Sequence, residues 1–338
     1  MVIERRLRGT GVLIFKNGNS LPIGSFRIEQ SDSGRTFLFC ERTPAIAFSS
    51  FLEPPIAFQG QTAARQPIQT QAIWGQIIST PRELCFILRN VEVGQETPKG
   101  SSHALSLTNF CFPTDNPARV VFPVQWGAAT IPVCLSPRRN YQTRLRQLKK
   151  TRGIVPTTNL RFRAGDLASN GISNFIRDLC LGLSLVQGRK INWIYHAAFG
   201  PHRILQHAVF GETITKTYTA QPLCFNPKSH TGVILPIEAA KDAIAGVKRF
   251  RETFDPHNRL INAWLDARTE TDYLEARTLK YVVVIEALNA LTCHKDKTIA
   301  RTIEIPNIWK ARYNEVITAL PPMAAALLTP ENWSRWSR

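Results

Sequence analysis

Gly11-Val12-Leu13-Ile14-Phe15, then Asn17-Gly18, then Phe26-Arg27-Ile28-Glu29 is the stretch that decides the fold. An apolar run meets an Asn-Gly pair, the dipeptide best suited to the positive φ angles of a tight hairpin. The run after it alternates apolar and polar residues, as a strand with one buried face must. The same grammar continues downstream. Short strands are expected at Thr36–Cys40, Ile56–Ala63, Ile68–Ile78, Leu84–Leu88, Ala104–Phe112 and Arg119–Val124, joined by connections such as Glu53-Pro54-Pro55 and Pro98-Lys99-Gly100-Ser101-Ser102. Many short strands at this spacing predict an antiparallel sandwich or a partly open barrel. Gly9-x-Gly11 lacks the third glycine and the following helix of a dinucleotide loop, so it reads as turn chemistry.

The pattern changes near Pro137. Tyr141, Leu145 and Leu148 recur at helical spacing within 138–150, and Gly153 is placed to cap that helix. Extended structure is expected again at Ile154-Val155 and Leu160-Arg161-Phe162. A second amphipathic helix follows, with Ile172, Phe175, Ile176, Leu179, Leu183 and Val186 on one face and Gly188 at its end. Ile191–Phe199, Ile204–Phe210 and Thr213–Tyr218 alternate like strands. After Pro236 helices are predicted at Ile237–Phe254, Asn258–Asp266, Thr271–Leu291 and Ile308–Leu320. The expected fold class is therefore α+β. A β-rich domain occupies 1–135, a mixed α/β segment with a basic helix 136–225, and a helical domain 226–338. The last residues, Trp333 to Arg338, do not read as a domain end, so the helical bundle reads as incomplete.

The 338 residues carry 42 Lys and Arg against 25 Asp and Glu, a formal net charge of +17. Such a charge bears on partners rather than on fold, and favours polyanions. A generally basic protein without such a ligand remains the plainer alternative. Seven cysteines are scattered with no C-x-x-C, which excludes the usual zinc and thioredoxin spacings and points to free thiols in a reducing compartment. The N-terminus has no apolar core of a signal peptide, and no apolar run approaches a membrane span. A cytoplasmic location, no membrane, no metal and no cofactor are the expectations.

The sharpest functional signal is the distribution of charge. From Asn116 to Gly165 there is no Asp or Glu in fifty residues, but there are ten bases. Arg119 is one; Arg138, Arg139, Arg144, Arg146, Lys149, Lys150, Arg152, Arg161 and Arg163 are the expected nucleic-acid contacts. On the basic helix the apolar residues face inward and Arg139, Arg146, Lys149 and Lys150 outward, a stripe able to track phosphates. A solvated face neutralised by acids from elsewhere in the fold is the competing reading. Trp74, Trp126, Trp193, Tyr195 and Phe162 are candidates for base stacking, with Trp193 and Tyr195 expected on one strand face. Adjacent strands could pair two of His196, His202 and His207. Cys180 or Cys224 could meet His196, although no local feature activates a thiol.

Two groups of motifs carry a resemblance. Residues 105–112 (Leu105 to Phe112), 154–158, 178–185 and 191–194 resemble a set of uncharacterised bacterial proteins in which a β-rich region precedes a helical domain. The helical part, Tyr273–Lys280 and Val284–Leu288, is similar to the first long helix of the ApeA-like HEPN group. That resemblance implies a role in phage defence and an RNA-binding or RNA-cleaving module. In HEPN ribonucleases an Arg, four to six residues, and a His lie on one helix, usually across a dimer. There the Arg stabilises charge developing on phosphate and the His moves protons. Arg251-x5-His257 has that spacing, with Pro256 interrupting the helix. Arg189-x6-His196 has a similar spacing on an expected strand. The sequence thus favours a nucleic-acid-associated protein, RNA ahead of DNA. A non-catalytic subunit docking its basic face on an acidic protein and a HEPN-type ribonuclease are the alternatives, and a protein partner or a homodimer through the C-terminal helices is a further expectation.

Overall fold

The computed structural model describes residues 3–41, 55–78, 82–94, 100–112, 117–151, 154–165, 167, 169–211, 237–254, 259–267, 278 and 280–288. By contacts, Met1–Lys280 forms one compact unit and Tyr281–Arg338 a second, of which residues 281–288 are described and helical.

The first unit contains twelve strands: β1 (Ile3–Ile14), β2 (Ser20–Ser31), β3 (Thr36–Glu41), β4 (Ala57–Thr62), β5 (Pro67–Ile78), β6 (Glu83–Gly94), β7 (Ser102–Thr108), β8 (Val120–Trp126), β9 (Ala129–Pro137), β10 (Pro156–Arg163), β11 (Asn192–Phe199) and β12 (Leu205–Phe210). Its helices are α1 (Tyr141–Thr151), α2 (Ser169–Gln187), α3 (Ile237–Thr253) and α4 (Arg259–Ala267). All strand pairings are antiparallel, in the order β3-β2-β1-β4-β5-β6-β12-β11-β7-β10-β9-β8. β3 also pairs with β6, so the first six strands close a ring of pairings. β6 belongs to both parts: Glu83–Leu88 face β3, and Val91–Gly94 face β12.

The α+β class with a β-rich first half stands. The compact unit runs across residues 135 and 225, where the sequence pattern places boundaries, because β7 pairs with both β10 and β11. β9 was not expected as a strand. Pro132 and Pro137 punctuate it, yet Ile131, Val133 and Leu135 alternate into the core. The expected strand Thr213–Tyr218, the helix Ile308–Leu320 and most of Thr271–Leu291 lie outside the described residues.

Asn17-Gly18 turns the first hairpin as predicted, with Gly18 at φ 83° and its N–H donating to Phe15 O at 3.0 Å. Gly9 and Gly11 prove not to be turn residues. They lie within β1, where a Cβ on Gly9 would sit 1.8 Å from Gln61 O, and one on Gly11 2.5 Å from the Phe58 ring. Hydrogen there lets β1 and β4 cross closely beneath the buried Phe58.

Two large apolar cores result, with a smaller cluster of Leu181, Val247 and Leu265 besides. The first lies between the β7–β10–β9–β8 face and the helices. Leu107, Phe122, Val133, Leu135 and Leu160 meet Phe175, Leu179 and Leu183 of α2, Tyr141, Leu145 and Leu148 of α1, and Ala240 and Ile244 of α3. Both amphipathic faces read from the sequence are the ones buried. The second core fills the strand ring with Leu13, Ile28, Leu38, Phe58, Phe86 and Leu88, and extends to Ala197, Ala208 and Phe210 of β11 and β12. Aromatic and aliphatic groups of this size each contribute about 1.5–3 kcal/mol on burial, which makes the two cores the main source of stability.

Candidate functional site

The acid-free stretch runs through β9, α1 and β10, and its cations meet two different fates. Arg138 Nη2 and Arg144 Nη1 both reach the carboxylate of Glu4, each at 2.8 Å. Arg138 also donates to Ser106 Oγ at 2.7 Å and Arg144 to Pro156 O at 3.0 Å. The Glu4 side chain is only 4% exposed. Burial pulls the Arg138 guanidinium below its usual range, and Glu4 opposes that pull. Arg5 beside it lies 3.5 Å over the Tyr195 ring. A local shortage of acids excludes only local partners, and β1 supplies this one 140 positions from Arg144. Arg139, Arg146 and Lys150 are exposed on or beside α1, whereas Arg152 and the Lys149 side chain lie outside the described residues.

Arg161 and Arg163 behave differently. Strand alternation sends Leu160 and Phe162 into the core and these two arginines to the opposite, solvent-facing side of β10. Arg161 lies across from Ala104 and Cys134, and Arg163 across from Ser102. They border a cleft of about 1140 Å³ at one end of β7, β9 and β10. Arg119, preceding β8, enters from one side. The β11–β12 connection Pro201-His202-Arg203 enters from the other. The cleft lining therefore carries Arg119, Arg161, Arg163 and Arg203, all exposed, and among the described residues no Asp or Glu. Among the described residues no carboxylate pairs with any of the four.

The connection is held in an unusual backbone state. His202 and Arg203 have φ of 58° and 59°, in the left-handed region that side-chain-bearing residues rarely adopt. The Gly200 N–H donates to Ile204 O at 3.0 Å and closes the turn, which projects both side chains to solvent. Strain of this kind concentrates where a binding surface needs a fixed projection. Two polar atoms in the cleft wall are buried without a partner, Gln206 Oε1 and His103 Nε2.

His103 faces a second histidine. Its Nδ1 lies 2.9 Å from Nε2 of His196, the rings stacked at 5.1 Å. Burial lowers both, His103 to about 4 and His196 to about 3, with His207 adding to the effect. The pair is therefore neutral near pH 7, and one ring must donate to the other. Sequence proximity brought His196 and His207 into consideration, whereas His103 gave no signal because its strand lies 93 positions away.

The remaining candidates have other duties. Arg251 makes a two-pronged contact with Asp178, at 2.9 and 2.8 Å, and this hydrogen bonding raises its pKa. Asp178 is fully buried and also accepts from Trp126 Nε1 at 3.0 Å, so the trio ties α3 to α2 and β8. His257 lies outside the described residues. Arg189 donates to Cys111 Sγ at 2.9 Å, while His196 engages His103. Cys180 borders the same cavity as His196, but burial pushes its thiol up to about 12, which keeps it protonated. Cys40, Cys85, Cys111, Cys134 and Cys180 are free thiols.

Of the stacking candidates, Phe162 and Trp126 pack on Phe175 in the first core. Trp193 and Tyr195 do not share a face. A register shift between them turns Trp193 toward the first core and Tyr195 toward the second. The Trp74 side chain lies outside the described residues. Among the described residues no group of three or more His, Cys, Asp or Glu side chains could hold a metal, and no helix is long and apolar enough to cross a membrane.

Comparison with protein-family models, with curated proteins and with solved structures returned no match.

Proposed function

We propose that the protein binds the phosphate backbone of RNA in the cleft bordered by Arg119, Arg161, Arg163 and Arg203. The observation that carries this reading is the presence of four arginines in one concave surface with no carboxylate among the described residues of its lining. Guanidinium groups match phosphate oxygens with paired donors, and unpaired ones gain most from a polyanion. Gln206 in the same wall carries an amide acceptor that would suit a ligand offering hydroxyl donors once the side chain turns toward the cleft. A ribose 2′-OH is such a donor and is what separates RNA from DNA. Contacts of this kind position a strand without reading its bases, so weak sequence preference is expected. The reading is one of binding rather than cleavage, since Arg251 is committed to Asp178 and the buried histidine pair is held neutral. A place in prokaryotic defence, in the manner of the HEPN-type resemblance, is the biological setting that such RNA binding would suit.

The test is fluorescence anisotropy with labelled single-stranded RNA and DNA of matched sequence across a salt series. Three to four phosphate contacts give a log–log salt slope of about −2 to −3 for a single strand. Replacing Arg161 and Arg163 by Ala should weaken binding and bring that slope about one unit closer to zero. A flat salt response, or unchanged affinity in the double variant, removes the proposal. Co-purification of an acidic protein with no nucleic-acid binding would transfer the cleft to a protein partner.

A further inference from the structure

A second cavity, of about 650 Å³, lies on the helix-covered side of the sheet, between β6, β12 and β11 and the first half of α2. Its volume falls in the range that holds small ligands. We infer that it is a binding site for a nucleotide, with the phosphate held by Lys190 and Arg177 and the base against Trp193. This site is separate from the RNA cleft and does not depend on it.

Lys190 carries most of the argument. It sits between α2 and β11, half-buried, and borders the cavity. Among the described residues its ammonium has neither an ion pair nor a hydrogen bond. Burial lowers its pKa, and among the described residues Asp266, which pairs with Lys280 at 2.9 Å, is the carboxylate that opposes this. A half-buried ammonium has lost part of its hydration, and an incoming anion in the cavity compensates for that loss. Arg177 projects from α2 into the same lining, steadied by its bond to Asn174 Oδ1 at 2.8 Å. Glu92 of β6 also borders the cavity and accepts from Gln69 Nε2 at 3.1 Å, so the phosphate end belongs with the two cations, which suit a phosphate better than a single carboxylate.

Trp193 supplies an aromatic wall. Its ring is half-buried and stands edge-to-face against His196, centroids 6.0 Å apart. Behind it Gly211 comes so close that a Cβ would lie 2.6 Å from the indole. A ring held this firmly offers a preformed surface for a planar heterocycle. Asn174 and Asn192, whose carbonyl oxygens accept from Arg177 and from the Trp193 N–H, border the cavity and can turn amide donors to a base edge. Cations, an immobilised indole and amides together select a phosphorylated heteroaromatic ligand over a plain anion or a plain apolar one.

The same chemistry is offered by a free mononucleotide and by the terminal nucleotide of an RNA, and the experiment separates them. Isothermal titration of the full chain is run with AMP, GMP, CMP, UMP, adenosine, inorganic phosphate and a 5′-phosphorylated RNA dinucleotide. At least one nucleotide should bind, and adenosine and phosphate should each bind at least tenfold more weakly than AMP. Tighter binding of the dinucleotide assigns the site to an RNA end, and tighter binding of a mononucleotide to a free ligand; either result supports it. Lys190→Met should lower affinity at least tenfold while leaving the melting temperature unchanged or raised, because the half-buried ammonium makes no ion pair or hydrogen bond among the described residues. Arg177→Ala should weaken binding without changing the fold. Arg161→Ala with Arg163→Ala should leave nucleotide binding intact, so loss of the RNA cleft and loss of this site are distinguishable. The inference is overturned by no heat from any nucleotide at millimolar concentration, by inorganic phosphate binding as tightly as AMP, or by full affinity in Lys190→Met. A lower melting temperature in Lys190→Met would also overturn it, by showing a structural role for the ammonium.

Discussion

Arg138 and Arg144 on one side, and Arg161 and Arg163 on the other, come from the same acid-free stretch and carry the same charge. The first two converge on the buried carboxylate of Glu4, and the second two line a cleft in which no described residue is a carboxylate. The difference lies in topology, not composition. β1 begins its run beside α1 and brings an acid to that corner, whereas alternation along β10 turns its arginines to the open side of the sheet. A basic stretch is therefore not a functional unit until the strands have sorted it into structural and available cations.

This contrast can be broken at either end. The largest effect is expected from Glu4→Gln, which leaves two partly buried guanidiniums facing each other. Breaking a buried pair in this way costs about 3 kcal/mol, visible as a lower denaturation midpoint at unchanged m-value. An unchanged midpoint would mean that the Glu4 cluster is dispensable and that its cations are available after all. A smaller effect comes from pH and from neither set of arginines. The folded His103 and His196 bind protons only near pH 4 and pH 3, while in the unfolded chain both titrate near 6.5. The unfolded state thus takes up more protons below 6.5, so stability falls as pH drops from about 6.5 toward 4 and is independent of this pair above that range. Urea titrations at pH 7 and pH 5 should show this loss, and it should shrink in His196→Gln. A pH-independent midpoint would show that the pair is not desolvated. The smallest stability effect is expected for Arg161→Ala with Arg163→Ala, within about 0.5 kcal/mol of the parent. A large loss there would show that the cleft arginines are structural too, and the contrast would vanish.

Much of the fold was legible because its signals are local. The Asn17-Gly18 turn, the inward faces of α1 and α2 and the cap at Gly188 each follow from residues a few positions apart, and the structure uses all of them. What failed was non-local. No periodicity announces that β3 returns to β6, that β1 and β4 approach closely enough to demand Gly9 and Gly11, or that Glu4 meets Arg144. Trp193 and Tyr195 were misplaced by a single inserted residue, since one bulge reverses the parity of a strand. The candidate site was legible in part. Arg161 and Arg163 were named from charge alone. Arg203 was missed because its only signal, a basic residue in the short Pro201-His202-Arg203 connection, gains meaning when β11 and β12 bring it to the cleft.

The order of strands also bears on how the molecule avoids its own kind. Because β3 folds back on β6, the sheet ends, among the described residues, on β8. A terminal strand offers a template on which a second chain can extend the ladder, and the exposed Val121 would favour such growth. Pro123 stands in the middle of β8, opposite Pro132, and has no N–H to offer an incoming strand. One imino acid at that border thus works as a stop to intermolecular sheet extension and aggregation, a safeguard unrelated to any ligand the protein binds.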